Sequence, residues 1–157
     1  MNYSKTDIED AIIKTLMPLH MDNGGVVKKI AGYQGELDDE NLQQFIVTFP
    51  VILVVYARST YREDAWPYMV EGMRYAVIIG DRSMRENADA RKGSSERTGT
   101  YSLMKQARSK LHGSKLGLTP EIVKCSISAE VALANTRTLS LYSQEYEITD
   151  DFRELLS

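Results

Sequence analysis

The run Phe49-Pro50-Val51-Ile52-Leu53-Val54-Val55-Tyr56 constrains the fold of this chain more than any other stretch. It is apolar throughout, rich in β-branched residues, opened by a proline and closed by the polar Ala57-Arg58-Ser59-Thr60. β-Branched side chains lose rotamer freedom in a helix and suit a pleated surface, so the run predicts a strand; it is far short of the ~20 residues a membrane helix needs. Continuous rather than alternating apolarity predicts a strand covered on both faces, near the centre of a sheet. Each Val, Ile or Leu buried there stabilises by about 1.5–3 kcal/mol, enough for the segment to anchor a domain.

A chain of 157 residues suits one domain over 1–157 with a sizeable core and leaves little room for two. The formal net charge of −3 gives no electrostatic reason to expect nucleic acid, although charge can still be segregated locally. One cysteine, Cys125, excludes an intramolecular disulfide framework and fits a reducing compartment. The first ten residues carry acids where a signal peptide needs an apolar region, and no apolar stretch is long enough to span a bilayer. The expectation is a soluble protein, intracellular when made.

Ser4 is placed as an N-cap, Asp7, Glu9 and Asp10 suit a helix N-terminus, and Ile8, Ile12, Leu16 and Leu19 recur at helical spacing. Residues 4–17 therefore predict an amphipathic helix that Pro18 ends or distorts. Asp22-Asn23-Gly24-Gly25 is a turn, and Val26 to Ile30 reads as a short strand. Asp38-Asp39-Glu40 precedes Leu42, Phe45 and Ile46; a solvated helix start explains these acids better than a metal site, since no partner ligands sit at a recognisable spacing. Beyond the central strand, residues 75–79 are again strongly apolar, so two strands form a long hairpin with a polar, aromatic tip at 61–68. Trp66 and Tyr68, beside Pro67, are satellite core or a contact patch.

Residues 81–97 are loop-like and nearly balanced in charge. Two readings stay open: a flexible solvated loop, or a segment, residues 83–92, that turns helical when a partner packs on it. Thr98 or Thr100 can cap a second helix over 99–112, whose apolar face is Tyr101, Met104, Ala107 and Leu111 joined by Leu103, with Gly113 as its stop. Cys125 lies on the apolar side of an alternating strand from 123 to 131, which predicts a buried, inert thiol. Leu139 to Ile148 is a last strand with Tyr142 and Tyr146 on one face, and Asp150-Asp151 begins a tail with room for one helical turn.

Motifs of catalysis are missing. Gly24-Gly25 and Gly32-x-x-Gly35 lack the lysine and flanking elements of a phosphate loop, and no G-x-S-x-G elbow occurs. His20 and His112 fall at predicted helix ends, without ligand-like spacing; one cysteine and two histidines do not make a zinc site without carboxylates. The pair Glu63-Asp64 reads as a solubilising turn rather than an acid/base pair. No cofactor is expected, and the chain is not expected to be an enzyme.

Ile8-Glu9-Asp10-Ala11-Ile12-Ile13, the run 49–56, Gly99-Thr100-Tyr101-Ser102-Leu103-Met104, Arg108 with Leu111-x-Gly113, and Leu116-Gly117-Leu118 follow one another in an order and spacing that resemble a family of tail-module proteins of Mu-like bacteriophages and prophages. That family is similar in fold to the tail terminators of long-tailed phages. The resemblance implies an α+β domain: a mixed, largely antiparallel sheet of four to five strands, two main helices on one face, order α-β-(α)-β-β-α-β-β. It also implies a six-fold ring of identical subunits that ends growth of the tail tube and sheath and joins tail to head. The implied partners are further copies of the chain, tube and sheath proteins, and head-completion or neck proteins, with no membrane and no direct recognition of nucleic acid. The implied location is the virion tail or a tail-like particle, with assembly in the host cytoplasm. A doubly covered strand beside helices on one face requires something on the other face, a neighbouring subunit or the hairpin itself.

The resemblance carries no catalytic residues. Candidate subunit contacts are the arginines and aromatics of the hairpin tip and long loop, Tyr61, Arg62, Trp66, Tyr68, Arg82, Arg85, Arg91 and Arg97, residue types enriched at interfaces. Other functions weighed are a head-side connector of a phage and a small cytosolic enzyme or ligand-binding domain.

Overall fold

A computed structural model of the chain describes residues 3–45, 48–63, 68–83, 87–93, 99–118 and 124–154. Its elements are α1 (Lys5–Leu16), β1 (Lys29–Gly32), α2 (Asp39–Phe45), β2 (Val51–Glu63), β3 (Tyr68–Arg82), α3 (Asn87–Lys92), α4 (Thr100–Leu111), β4 (Lys124–Asn135) and β5 (Leu139–Glu154), with two 3-10 turns between α1 and β1. The strands form one five-stranded sheet in the order β1-β2-β3-β5-β4. β1 runs parallel to β2 and every other pairing is antiparallel. This is the expected mixed α+β architecture.

The central strand is covered on both faces, as its composition requires. Ile52 and Val54 join a core under α1 and α4, formed with Ile8, Ile12, Leu103 and Leu111. Val51 and Leu53 point the other way, into a second core with Phe49, Ile78, Leu139 and Leu141. That second face is closed by Tyr33, Leu37, Leu42 and Phe45, from the lead-in to α2 and from α2 itself. Residues of and before α2 cover it, with neither a neighbouring subunit nor the hairpin tip laid over it, which corrects the expectation.

Phe49, joined to Pro50 by a cis peptide bond, meets Phe45 edge to face at 5.7 Å. Its ring lies on Gly80, where a Cβ would stand 2.8 Å from Phe49 and 2.6 Å from Leu141. Only glycine allows β3 to run this close beneath the ring.

Local signals hold where the chain settles its own ends. Ser4 accepts from the Asp7 amide at 3.0 Å while Asp7 accepts from the Ser4 amide at 2.9 Å, a reciprocal capping box. This bonding holds the Asp7 carboxyl below its ordinary value. Pro18 opens a 3-10 turn rather than a further turn of α1, and Gly113 follows the C-cap His112 of α4 in a left-handed conformation.

Four expectations need correction. The strand expected over Val26 to Ile30 begins only at Lys29, because Val27 bonds backward to Leu19 and Met21. The described part of the hairpin tip, residues 61–63 and 68, is itself strand, with pairing from Val51↔Gly80 out to Glu63↔Met69. The tail beginning at Asp150 continues β5 to Glu154, pairing with β3 as far as Tyr68. The projecting end of the sheet is thus a three-stranded arm of β2, β3 and β5. Finally, the cap position of α4 is Gly99, not a threonine; Thr98 lies outside the described residues, and the Thr100 hydroxyl instead bonds Ser140 at 2.9 Å in the core.

Candidate functional site

The sequence singled out two regions, the hairpin tip and the long loop, and the fold sets each on a fixed base. In the arm, the ladder brings Tyr61 opposite Glu71. The Glu71 carboxylate is only 3% exposed. It accepts from the Ser59 hydroxyl at 2.7 Å and the Tyr61 hydroxyl at 2.9 Å, and pairs with the Lys5 ammonium at 3.6 Å. Lys5 also lies 5.2 Å over the Tyr56 ring, and its carbonyl accepts from the Tyr75 hydroxyl at 2.7 Å. A buried carboxylate is tolerable only with such partners. The cluster fastens the first turn of α1 to the shaft of the arm, and hydrogen bonding to the carboxylate raises the Tyr61 phenol above its ordinary value.

The long loop is tied at both ends by one residue. Asp81 is fully buried; its carboxylate accepts from the Arg82 amide at 2.8 Å and the Gly99 amide at 3.0 Å. Gly99 has φ 87°, and a Cβ there would lie 2.3 Å from the Gly93 nitrogen, so the far end of the loop lies backbone to backbone against the end of α3 (Asn87–Lys92). Between them, α3 forms within the subunit, with Ala90 fully buried. Residues 87–92 are therefore helical without any partner.

Arg91 donates to the Tyr101 hydroxyl at 3.0 Å, and the Tyr101 ring meets Tyr142 edge to face at 5.8 Å. Asn135 donates to the Tyr142 hydroxyl at 3.3 Å. The Arg91 hydrogen bond, with a second from Tyr142, holds the Tyr101 phenol below its ordinary value, while the hydrogen bond with Tyr101, and burial, raise Tyr142. Tyr101 was expected on the core face of α4, but it stands at the margin, 43% exposed; Thr100 takes the inward position.

The candidate contacts thus fall in two places. Tyr61 and Arg62 are exposed on the arm. Tyr68 opens β3 opposite Glu154, and its side chain lies outside the description. Arg82 ends β3 opposite Leu139, half-buried, and Arg91 lies on Tyr101. Trp66, Arg85 and Arg97 lie outside the described residues. Sequence reasoning missed Lys5, Glu71 and Asp81, each of which acts across the chain, and Tyr142 as part of the aromatic patch.

A cleft of about 640 Å³ opens between α1 and the turn at Leu116, lined by Tyr3, Asp7, Asp10, Lys14 and Leu118 among others. Its ionisable groups make no catalytic arrangement: Asp7 is held in the helix cap, and the neighbouring Thr15 hydroxyl donates to the Ala11 carbonyl at 2.7 Å. His20 is committed to backbone, accepting from the Asp22 amide through Nδ1 at 3.1 Å and donating from Nε2 to Lys28. His112 accepts from the Ile127 amide at 3.1 Å. Burial pushes the Cys125 thiol up to about 12, the behaviour of an inert core residue. Among the described residues no group of three or more His, Cys, Asp or Glu is placed to hold a metal, and no helix is long and apolar enough to cross a membrane.

These features define an α+β domain whose developed parts are surfaces: a fastened arm and a docked loop bearing arginine and tyrosine. A model of the family described as Bacteriophage Mu, Gp37 matches residues 5–150, and the chain belongs to that family. It is a Mu-like phage protein. No curated protein matches it.

Proposed function

We propose that the protein is a structural component of the phage tail, a tail terminator or tail-completion protein. Six copies form a ring that ends growth of tube and sheath and offers a surface to the head-completion proteins. The family match over residues 5–150 carries this reading. The α+β architecture agrees with the resemblance to tail terminators, and the arm and loop supply rigid, arginine- and tyrosine-bearing contact surfaces. Its action is mechanical and not enzymatic, and its place is the virion tail.

The test is assembly. The full chain is expected to form a six-membered ring in native mass spectra and to cap purified tail tubes. Arg62→Glu, at an exposed position of the arm, is expected to fold as the parent does and to weaken ring formation or tube capping. Removing residues 84–96 should change the oligomer size measured by light scattering. If the Arg62 variant assembles normally, the arm is not the contact; if the deletion leaves the ring unchanged, the loop is not.

A further inference from the structure

The net charge of −3 conceals a segregation that the fold converts into geometry. Residues 1–50 hold eight acids against four lysines, whereas residues 82–124 hold ten lysines and arginines against four acids. The sheet order places α1 and β1 of the first segment toward one edge and α4 of the second toward the other. α1 packs over β1 and β2, while α4 packs over β3, β5 and β4. On the β4 side Lys105, Lys110, Lys115 and Lys124 are exposed and make no ion pair among the described residues, while Glu130 is already taken by Arg108 at 2.6 Å. On the β1 side Asp22, Asp38 and Glu40 are exposed.

The two edges share a second property. Six large apolar side chains are exposed among the described residues, and only Tyr61 lies on the arm. Met21 (54% exposed) and Val26 (44%) lie on the β1 side; Val131 (46%), Leu133 (51%) and Tyr101 (43%) lie on the β4 side. Each edge therefore pairs apolar side chains with charge mainly of one sign, acidic beside β1 despite the exposed Lys28 and basic beside β4, so the two balances are opposite. Apolar side chains with a polar rim are the composition of a protein–protein contact, and a contact between two different patches of one chain propagates head to tail, giving a ring when the rotation between copies closes.

We infer that the β1 flank of one copy docks on the α4–β4 flank of the next, the acids of the first facing the lysines of the second. The inference rests on the ring reading above and adds which surfaces meet. Side chains carry the contact rather than a continued ladder, since β1 has four residues and β4 is interrupted by register shifts at 127/129 and 132/134. Nucleic acid explains the lysines alone; it leaves Val131 and Leu133 facing phosphates and gives the acidic flank no partner.

The test swaps charge between flanks in the full chain. Lys105→Glu/Lys110→Glu/Lys115→Glu leaves one lysine against three acids on the α4–β4 flank and so makes both flanks acidic, and Asp22→Lys/Glu40→Lys makes both basic. Each variant alone should assemble at least about tenfold more weakly than the parent in sedimentation velocity at low salt. Mixed in equal amounts they should recover assembly, because acidic and basic copies alternate around the ring, and native mass spectra should show equal numbers of each. Circular dichroism checks folding; if the first variant is unfolded, Lys110→Glu/Lys115→Glu/Lys124→Glu replaces it. A parent that stays monomeric at every concentration overturns the ring and the flank pairing together. A parent ring with variants that assemble equally well, or whose mixture fails to recover, overturns the flank pairing alone. Intact assembly with lost binding to a short DNA duplex assigns the lysines to nucleic acid and overturns it likewise.

Discussion

Phe49 packs closely on Gly80, and this contact tests whether the second face of the sheet is completed within one subunit. In Gly80→Ala the new methyl would meet the Phe49 ring at 2.8 Å and Leu141 at 2.6 Å. Overpacking of this kind costs about 1–3 kcal/mol, against which replacing a mid-strand glycine returns about 0.5–1 kcal/mol. The expected net loss is about 1–2 kcal/mol, or a fall in melting temperature of about 3–6 °C for a chain of this size. Phe49→Ala removes a fully buried ring and should cost about 3–5 kcal/mol.

The informative variant is the double one. Once the ring is gone, the methyl at position 80 meets only the mobile end of Leu141, so it should cost almost nothing. A coupling of about 1–2 kcal/mol is therefore expected between the two positions, well outside the few tenths seen for independent sites. Urea denaturation of all four chains, at one protomer concentration because any self-association adds to apparent stability, gives the four free energies. Additive losses would refute the packing of Phe49 on Gly80, and with it the closure of that face by the chain's own residues.

Two other substitutions probe points where the fold is tied together. Gly99→Ala forces a side chain into φ 87° and onto the Gly93 nitrogen; backbone strain of about 1–3 kcal/mol should appear as lost stability and as earlier proteolytic cleavage in residues 82–99, and unchanged cleavage would count against the closure at Asp81. Cys125 should resist thiol reagents until the protein unfolds. Its folded thiol keeps its proton to about 12, against an ordinary value of 9.0, so the unfolded chain binds fewer protons at alkaline pH and stability should fall as pH rises above that ordinary value; Cys125→Ala should remove that slope, and an identical pH profile would refute the assignment.

Legibility in the sequence followed the range of the interaction. The capping box of α1 and the stop of α4 are written within a few neighbouring residues and stand where the local pattern puts them, whereas the strand read from 49–56 begins at Val51 and runs on to Glu63, past its expected close at 57–60. Asp81 was opaque because its second partner, the Gly99 amide, lies 18 residues away. Glu71 was opaque for the same reason, being matched to Lys5 only through the docking of α1. The extension of β5 through Asp150 and Asp151 defied its composition: acids are poor strand formers alone, and here the ladder to β3 outweighs them. Tyr101 misled because helical spacing fixes a direction but not whether anything covers it; Tyr142 and Arg91 receive the ring at the edge of the core. Of the candidate contacts, the sequence found the right segments but not what holds them, since Lys5, Glu71 and Asp81 look like ordinary surface charges when read in order.

That separation between holding and contacting residues bears on how such a subunit can assemble. Both faces of the central strand are closed by the chain itself, so the subunit needs no neighbour to complete its core. Among the described residues the large apolar groups left outside are few, and on each flank they lie among charges mainly of one sign. Subunits of this design would fold first and join later, as folded units, through contacts of modest apolar area whose pairing is set by charge. Joining would then be reversible and sensitive to salt, and a partner that presents several subunits together would favour closure of a ring over free association in solution. On the function proposed above, a growing tail tip with repeated identical sites would be such a partner. Ring formation that strengthens on tube ends and weakens with added salt is the behaviour this arrangement requires.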